Sequence, residues 1–371
     1  MHRRECSRET REGLHVLQLL NGSLSEAFIT VPAVGDELPV CLLQRLYSYL
    51  EQNPQLRIVR QDVFGLVADP ARDSAGRAYR LDGSEWPVTW VEEGNGGGCP
   101  VAGIQVHAVS GAPVTPIRMD GRVVGAVFED AYARYCVLGG LRPDLAPLCR
   151  GEQVWRTFEK MEAALSLAGM RFANVVRTWF YLDDILDWYD EFNRVRNRFF
   201  QERRVYGALV PASTGVGGSN REGTAVVADL LAIEPKGPEA SLQMVPSPLQ
   251  CAALDYGSAF SRAVELTLPG QRRLFVSGTA SIAPDGQTLH AGDVDAQVAL
   301  SMEVVRGILN SRGMGWAEVT RAIGYFKHAE DVVAFARYCT AHRIPPLPAV
   351  IVKNDICRDD LLFEIEVDAV K

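Results

Sequence analysis

QVWRTFEKMEAALSLAGMRFANVVRTWFY, residues 153–181, lies over QVALSMEVVRGILNSRGMGWAEVTRAIGY, residues 297–325, when the chain is shifted by 144 positions. Ten of the 29 pairs are identical: Gln153/Gln297, Val154/Val298, Glu159/Glu303, Leu165/Leu309, Gly169/Gly313, Met170/Met314, Ala173/Ala317, Val175/Val319, Arg177/Arg321 and Tyr181/Tyr325. Unrelated segments of ordinary composition share about two. The chain therefore contains an internal duplication. Each copy opens with an amphipathic helix, 152–168 or 294–312, apolar at i, i+3, i+4 and i+7 and stopped by a glycine.

Outward from these helices the two copies stay parallel. A strand follows, VVRTWFYL or VTRAIGYF, then a second helix, 185–201 or 329–342. TAVVADLLAI or LLFEIEVDAV closes each copy as a final strand, and YARYCVLGGLRPD or RRLFVSGTASIAPDG precedes each first helix as a hairpin. The expected unit is ββαβαβ, in an α+β fold. Within the Pro-rich stretch EPKGPEASLQMVPSPLQ, residues 236–250 read as a linker between a first unit, 121–235, and a second, 251–371. Residues 1–120 form an irregular N-terminal region. It holds strands near 28–34 and 57–68, a helix over 39–50 with its proline at the start, and β pattern from 101 with an Asp120-Gly121 hairpin turn. It completes a pseudo-trimer if it is a decayed third copy, although no sequence register supports one.

With 371 residues, 47% hydrophobic and 23% charged, the chain has room for two or three globular domains. A net charge of −8 argues against nucleic acid as partner. No apolar run approaches the ~20 residues of a membrane span, and MHRRECSRETREG at the start has no apolar stretch behind its basic residues, so no secretory leader is expected. Eight cysteines (Cys6, Cys41, Cys99, Cys136, Cys149, Cys251, Cys339, Cys357) stand singly, without CxxC pairs or zinc-finger spacing. They read as reduced thiols of a cytoplasmic protein. The loop 94–100, GNGGGCP, lacks the Lys and Ser/Thr of a phosphate loop. No cofactor and no metal are expected.

Several phrases carry a resemblance. SAFSRA at 258–263, LFVSG, the GM–V–R–Y strand, LLFEIEVDA and PAST at 211–214 resemble motifs of the RidA/YjgF family of small trimeric proteins, whose ligands sit between subunits. The resemblance implies two fused RidA/YjgF-like units with such a cleft inside one chain. The arginine on which that family's imine chemistry rests is missing: Ser213 and Val350 occupy its positions. ARYCVLGGLRP, the long phrase 161–196, PASTGVGG and NDICRDDLLFEIE resemble the chorismatases more closely, over roughly 40–371. That resemblance implies release of pyruvate from chorismate without a redox cofactor.

Protonating the methylene carbon of an enolpyruvyl ether needs a strong, positioned acid, and a buried carboxyl suits the task. The resemblance places the general acid at Glu364. By an offset of 137 it stands over Val227, and Glu366 over Asp229, so only one copy keeps the acid. The alternative is that Glu364, Glu366 and Asp368 form a solvated strand face. Cys357 is either a core filler or, as the resemblance implies, the residue that steers chemistry to 3-hydroxybenzoate. Arg337 (over Asn193) and Arg177 are candidate carboxylate anchors, Arg337 with the bland alternative of an exposed helix arginine, while Tyr181 repeats with Arg177 on the same strand. Ser213, Thr214 and Gly215 offer hydroxyl and backbone donors, and Tyr206 lies near them. Trp188 and Tyr189 read as helix packing. The expected activity is chorismate to 3-hydroxybenzoate and pyruvate, by a monomer. Hydrolysis to a trans-dihydrodiol acid, mixed 3-/4-hydroxybenzoate formation, and a non-catalytic small-acid binder remain alternatives.

Overall fold

The computed structural model describes residues 5–35, 37, 39–65, 85–92, 101–144 and 148–371. The loop 94–100 with Cys99, and the end of the strand expected at 57–68, lie outside the described residues. The described residues form three six-stranded sheets. The first holds β1 (Glu5–Arg11), β2 (Leu14–Asn21), β3 (Leu24–Pro32), β4 (Arg57–Gly65), β5 (Val88–Val91) and β6 (Val101–Ser110), with helix α1 at Pro39–Gln52. The second holds β7 (Thr115–Met119), β8 (Arg122–Glu129), β9 (Ala133–Leu141), β10 (Val175–Leu182), β11 (Ala212–Gly217) and β12 (Val226–Pro235), with α2 at Arg150–Leu167 and α3 at Ile185–Glu202. The third holds β13 (Ser241–Val245), β14 (Ala263–Leu268), β15 (Gln271–Ala280), β16 (Val319–Phe326), β17 (Ala349–Lys353) and β18 (Phe363–Val370), with α4 at Val294–Ser311 and α5 at Val333–Ala341.

Strand order is the same in each: β1-β2-β3-β6-β4-β5, β7-β8-β9-β12-β10-β11, β13-β14-β15-β18-β16-β17. The N-terminal region is thus a third copy, invisible to sequence comparison. Each unit carries two more strands than ββαβαβ: an outer strand ahead of the hairpin, and a short strand parallel to the one before it. Two boundaries move accordingly. β7 precedes residue 121 and belongs to the second sheet, and β13 occupies the stretch read as a linker, pairing with β14. Flanking prolines masked SLQMV as a strand.

The duplicated sequence is explained locally. Gly169 and Gly313, both at φ 66°, end α2 and α4 in the left-handed region. The next residue donates back to the helix, Met170 N–H to Leu165 and Met314 N–H to Leu309, each at 2.9 Å. Val154, Phe158, Met161 and Leu165 are buried on α2, and Val298, Met302, Val305 and Leu309 on α4, at matching positions. These rows cover one face of their sheets.

The opposite faces meet at the middle of the molecule, where Phe64 and Val91, Trp179 and Tyr181, and Ile323 and Tyr325 share one cluster. A bulge recurs in β4, β10 and β16, after Ile58, Val175 and Val319. It makes Arg60, Arg177 and Arg321 equivalent. All three guanidinium groups converge on the Trp179 ring, 3.8, 4.6 and 5.3 Å from its centroid. Each reaches the next unit: Arg60 to Asp229 (3.0 Å), Arg177 to Glu366 (2.8 Å) and Arg321 to Gln105 (2.9 Å). The register makes Gln105, Asp229 and Glu366 equivalent as well, so one clamp is repeated around a pseudo-threefold axis.

Candidate active site

β18 alternates Phe363, Ile365, Val367 and Ala369, packed under α4, with Glu364, Glu366 and Asp368 on the other face. That face is not solvated, contrary to the bland expectation. The neighbouring units cover it, leaving Glu364 5%, Glu366 0% and Asp368 8% exposed. The register fixes the copy relation. Tyr181 opposes Val227, Tyr325 opposes Glu364, and Phe64 opposes Gly103. One carboxyl therefore stands where the other two units have valine and glycine.

Glu364 lines a cleft of about 550 Å³ between the second and third units. Burial raises its pKa to about 8, Glu366 pushes the same way, and Arg177 and Arg262 only partly offset them. Among the described residues none donates a hydrogen bond to it. Gly278 makes room for this carboxyl, since a Cβ there would stand 1.9 Å from Glu364 Oε1. Glu366 has the opposite fate. Burial alone would raise its pKa, but Arg321 (2.7 Å), Arg177, Thr214 Oγ1 and the Trp179 indole N–H (2.9 Å) hold it below the ordinary value. Two carboxyls, two residues apart, are thus split into a neutral acid and a fixed anion.

Cys357 lines the same cleft, half-buried, in the segment between β17 and β18. Burial, and then Glu364, push its thiol up to about 12, so it stays an S–H. Ser213 and Gly215 reach the cleft from β11. The Ser213 hydroxyl accepts from Thr178 Oγ1 at 2.9 Å and its N–H donates to Ser277 Oγ at 2.8 Å, so that backbone donor is engaged.

Other expected residues fall elsewhere. Arg337 is on the outer face of α5, its side chain 57% exposed, and pairs with Asp295 at 2.7 Å. The helix turns that position away from the cleft. Arg177 is fully buried behind the acids and touches Glu366 and Thr214 rather than the cleft. Thr214 accepts from Arg177 and from the Gly278 N–H (3.0 Å) and donates to Glu366, so its hydroxyl is spent inside the wall. Tyr181 packs between units with its hydroxyl lacking a described partner. Tyr206 is exposed, bonded to Asn197 at 2.7 Å.

In their place the cleft holds Arg196, Arg262 and Arg358. Arg196, 1% exposed on α3, donates to Asn193 Oδ1 at 2.6 Å, and its Nε has no hydrogen-bond partner among the described residues. Arg262 donates to the Cys251 carbonyl at 2.9 Å and Arg358 to the Gly286 carbonyl at 2.7 Å. Tyr189, read as packing, lines the cleft, whereas Trp188 is 5% exposed and bonds the Asp183 carbonyl at 2.7 Å. The signal for Arg196 was its place on the helical stripe of Ile185, Trp188, Phe192, Phe199 and Phe200, apolar surroundings that demand a purpose for a guanidinium. Arg262 sat unweighed inside SAFSRA. With Glu364 neutral, three cations and a hydroxyl suit a ligand carrying carboxylates.

The sequence pattern described as Endoribonuclease L-PSP matches residues 144–220 and 252–371, more than half of the chain. A chorismatase of Streptomyces rapamycinicus is 30% identical over 220 residues, 53% of this chain and 64% of that protein. A 3-hydroxybenzoate synthase of Streptomyces hygroscopicus is 29% identical over 224 residues, 53% of this chain and 63% of that protein. The chain spans just under two thirds of the length of these two relatives. A solved chorismatase structure matches with a TM-score of 0.59 at 21% identity, over 84% of this chain and 92% of that one, a likeness of fold. With its matched pattern falling on the second and third of three like-ordered sheets, the chain belongs to the endoribonuclease L-PSP family.

Proposed function

We propose that the protein is a chorismatase converting chorismate to 3-hydroxybenzoate and pyruvate. One observation carries the reading: a buried carboxyl held neutral near pH 7 faces three guanidinium groups across one cleft. Chorismate is a dianion, and Arg196, Arg262 and Arg358 are the groups that bind its two carboxylates. Glu364 then gives its proton to the methylene carbon of the enolpyruvyl ether, leaving an oxocarbenium ion and a carboxylate. That carboxylate stabilises the cation electrostatically. The ring hydroxyl oxygen displaces the ether oxygen from the neighbouring ring carbon, and the C–O bond to pyruvate breaks. Opening of the resulting arene oxide with loss of a ring proton gives the phenol. The hydroxyl proton returns to Glu364, the ring proton is made good on the phenolic oxygen, no water is consumed, and the chemistry is redox-neutral. As a neutral thiol, Cys357 stands beside the ring as a weak donor that favours this internal route over attack by water. The name of one relative, a chorismatase, supports the same substrate, and that of the other, a 3-hydroxybenzoate synthase, the same product. Three units in one chain close the ring of interfaces, so we expect a cytoplasmic monomer of 40.7 kDa.

The test is purified protein with chorismate, pyruvate followed by a coupled assay and aromatic products by chromatography. Pyruvate with 3-hydroxybenzoate is expected, and Glu364→Gln should lower turnover by at least about 10²-fold while chorismate still binds. Cys357→Ala should divert product toward the dihydrodiol acid. No pyruvate from the wild-type protein would overturn the assignment and leave a small-acid binder. Dihydrodiol acid alone from the wild type would keep the substrate and overturn the role given to Cys357.

A further inference from the structure

Three contacts of the clamp that supports Glu366 are repeated one unit earlier. Arg60 meets Asp229 at 3.0 Å as Arg177 meets Glu366 at 2.8 Å. Thr89 Oγ1 donates to Asp229 at 2.7 Å as Thr214 does to Glu366. Gly140 N–H donates to Thr89 Oγ1 at 2.8 Å as Gly278 N–H does to Thr214 at 3.0 Å. The register makes each of these pairs equivalent, so the first and second units enclose the same kind of cleft as the second and third. That cleft exists, and its lining includes the counterpart positions.

The substitutions between the two clefts remove the acid and move the cations, one of which is lost where Val124 stands in place of Arg262. Val227, 4% exposed, stands in place of Glu364, so the proton donor is gone. Arg142 stands where Ala280 lines the other cleft, and Trp90 where Gly215 does. Valine has replaced the acid, arginine a small side chain, and an indole open space. Arg122 also lines it, and Arg221 stands where Arg358 does, against one lining carboxylate among the described residues, Glu222, which pairs with Arg142 at 2.9 Å. Glu92, whose carboxyl is influenced by both Arg221 and Glu222, is the other acid nearby. Among the described residues the lining thus brings three arginines and one glutamate beside valines and an indole ring. Those groups recognise a negative charge attached to a flat apolar body.

We propose that the cleft between the first and second units is a binding site, without turnover, for a small aromatic carboxylate. It is separate from the Glu364 cleft and does not depend on the reaction assigned there. The test uses the full chain carrying 5-fluorotryptophan, with the Trp90 ¹⁹F resonance assigned through Trp90→Phe and benzoate as the probe. Benzoate should shift that resonance saturably, and Arg142→Gln should weaken the apparent affinity about tenfold, the loss of one charge-assisted contact. Arg221→Ala, on an exposed side chain that no core packing needs, should weaken it in the same direction, and Glu364→Gln should leave it unchanged. Absence of a Trp90 shift up to about 10 mM benzoate (an affinity weaker than about −3 kcal/mol) would overturn the proposal. So would a shift that survives both arginine substitutions.

Discussion

Glu364 and Glu366 point to the same side of β18, yet only one of them has cations within bonding distance. Arg177 and Arg321 bracket Glu366, whereas Glu364 gains mainly the cost of burial and the repulsion of its neighbour. With its pKa raised to about 8, Glu364 is a proton donor below that pH and spent above it. The expected kcat/KM for chorismate is therefore flat through neutrality and falls about tenfold per pH unit above pH ~8. A profile falling instead from pH ~5 would mean that Glu364 is ionised at neutrality and is not the acid. The same shift has a stability consequence. Between its ordinary pKa and about 8 the folded protein holds a proton that the unfolded chain releases, so rising pH costs stability. Glu364→Gln should gain on the wild type by a few kcal/mol at most between pH 5 and pH 9, read from urea unfolding at both pH values.

At the scale of elements, the two α–β turns are built alike because a left-handed residue must follow each long helix. Gly169 and Gly313 supply it at φ 66°, and a side chain there is strained whatever space surrounds it. Gly169→Ala and Gly313→Ala should each destabilise by about 1 kcal/mol, additive in the double variant because the sites lie in separate units. Urea midpoints at a constant m-value are the measurement. These turns were legible in the sequence because the Gly-Met pair does local work. The outer strands β7 and β13 were not. They are short, and their hydrogen-bond partners β8 and β14 are what make them strands.

At the scale of the whole molecule, three sheets are locked by one repeated contact, an arginine of each unit reaching a polar group of the next. Asp229 is the sensitive member. Burial raises its pKa to about 7 against the pull of Arg60. Arg60→Met should cost on the order of 3 kcal/mol by stranding that buried carboxyl. The loss should be smaller at pH 5.5 than at pH 8, since a protonated Asp229 needs no cation. Equal losses at both pH values would show that Arg60 acts through packing on Trp179 instead. The third clamp has glutamine at Gln105, which carries no charge to strand, so the three interfaces are alike in shape and unlike in electrostatics.

The duplicated helices, their glycine stops, the strand bearing Arg177 and Arg321, and the register that sets Glu364 over Val227 followed from sequence by itself. Each of these depends on residues close along the chain or on two copies similar enough to align. The N-terminal copy did not follow, because its likeness to the others is one of strand order and bulge position, and hydrogen-bonded order tolerates almost any apolar side chain. The arginines of the Glu364 cleft did not follow either. Arg337 and Arg196 both look like helix arginines in one dimension. Only the packing of α3 against the third unit turns Arg196 inward, while α5 leaves Arg337 in water beside Asp295. The tertiary structure likewise decided that the acidic face of β18 is buried, since alternation along a strand separates two faces but cannot say which of them a neighbouring unit will cover.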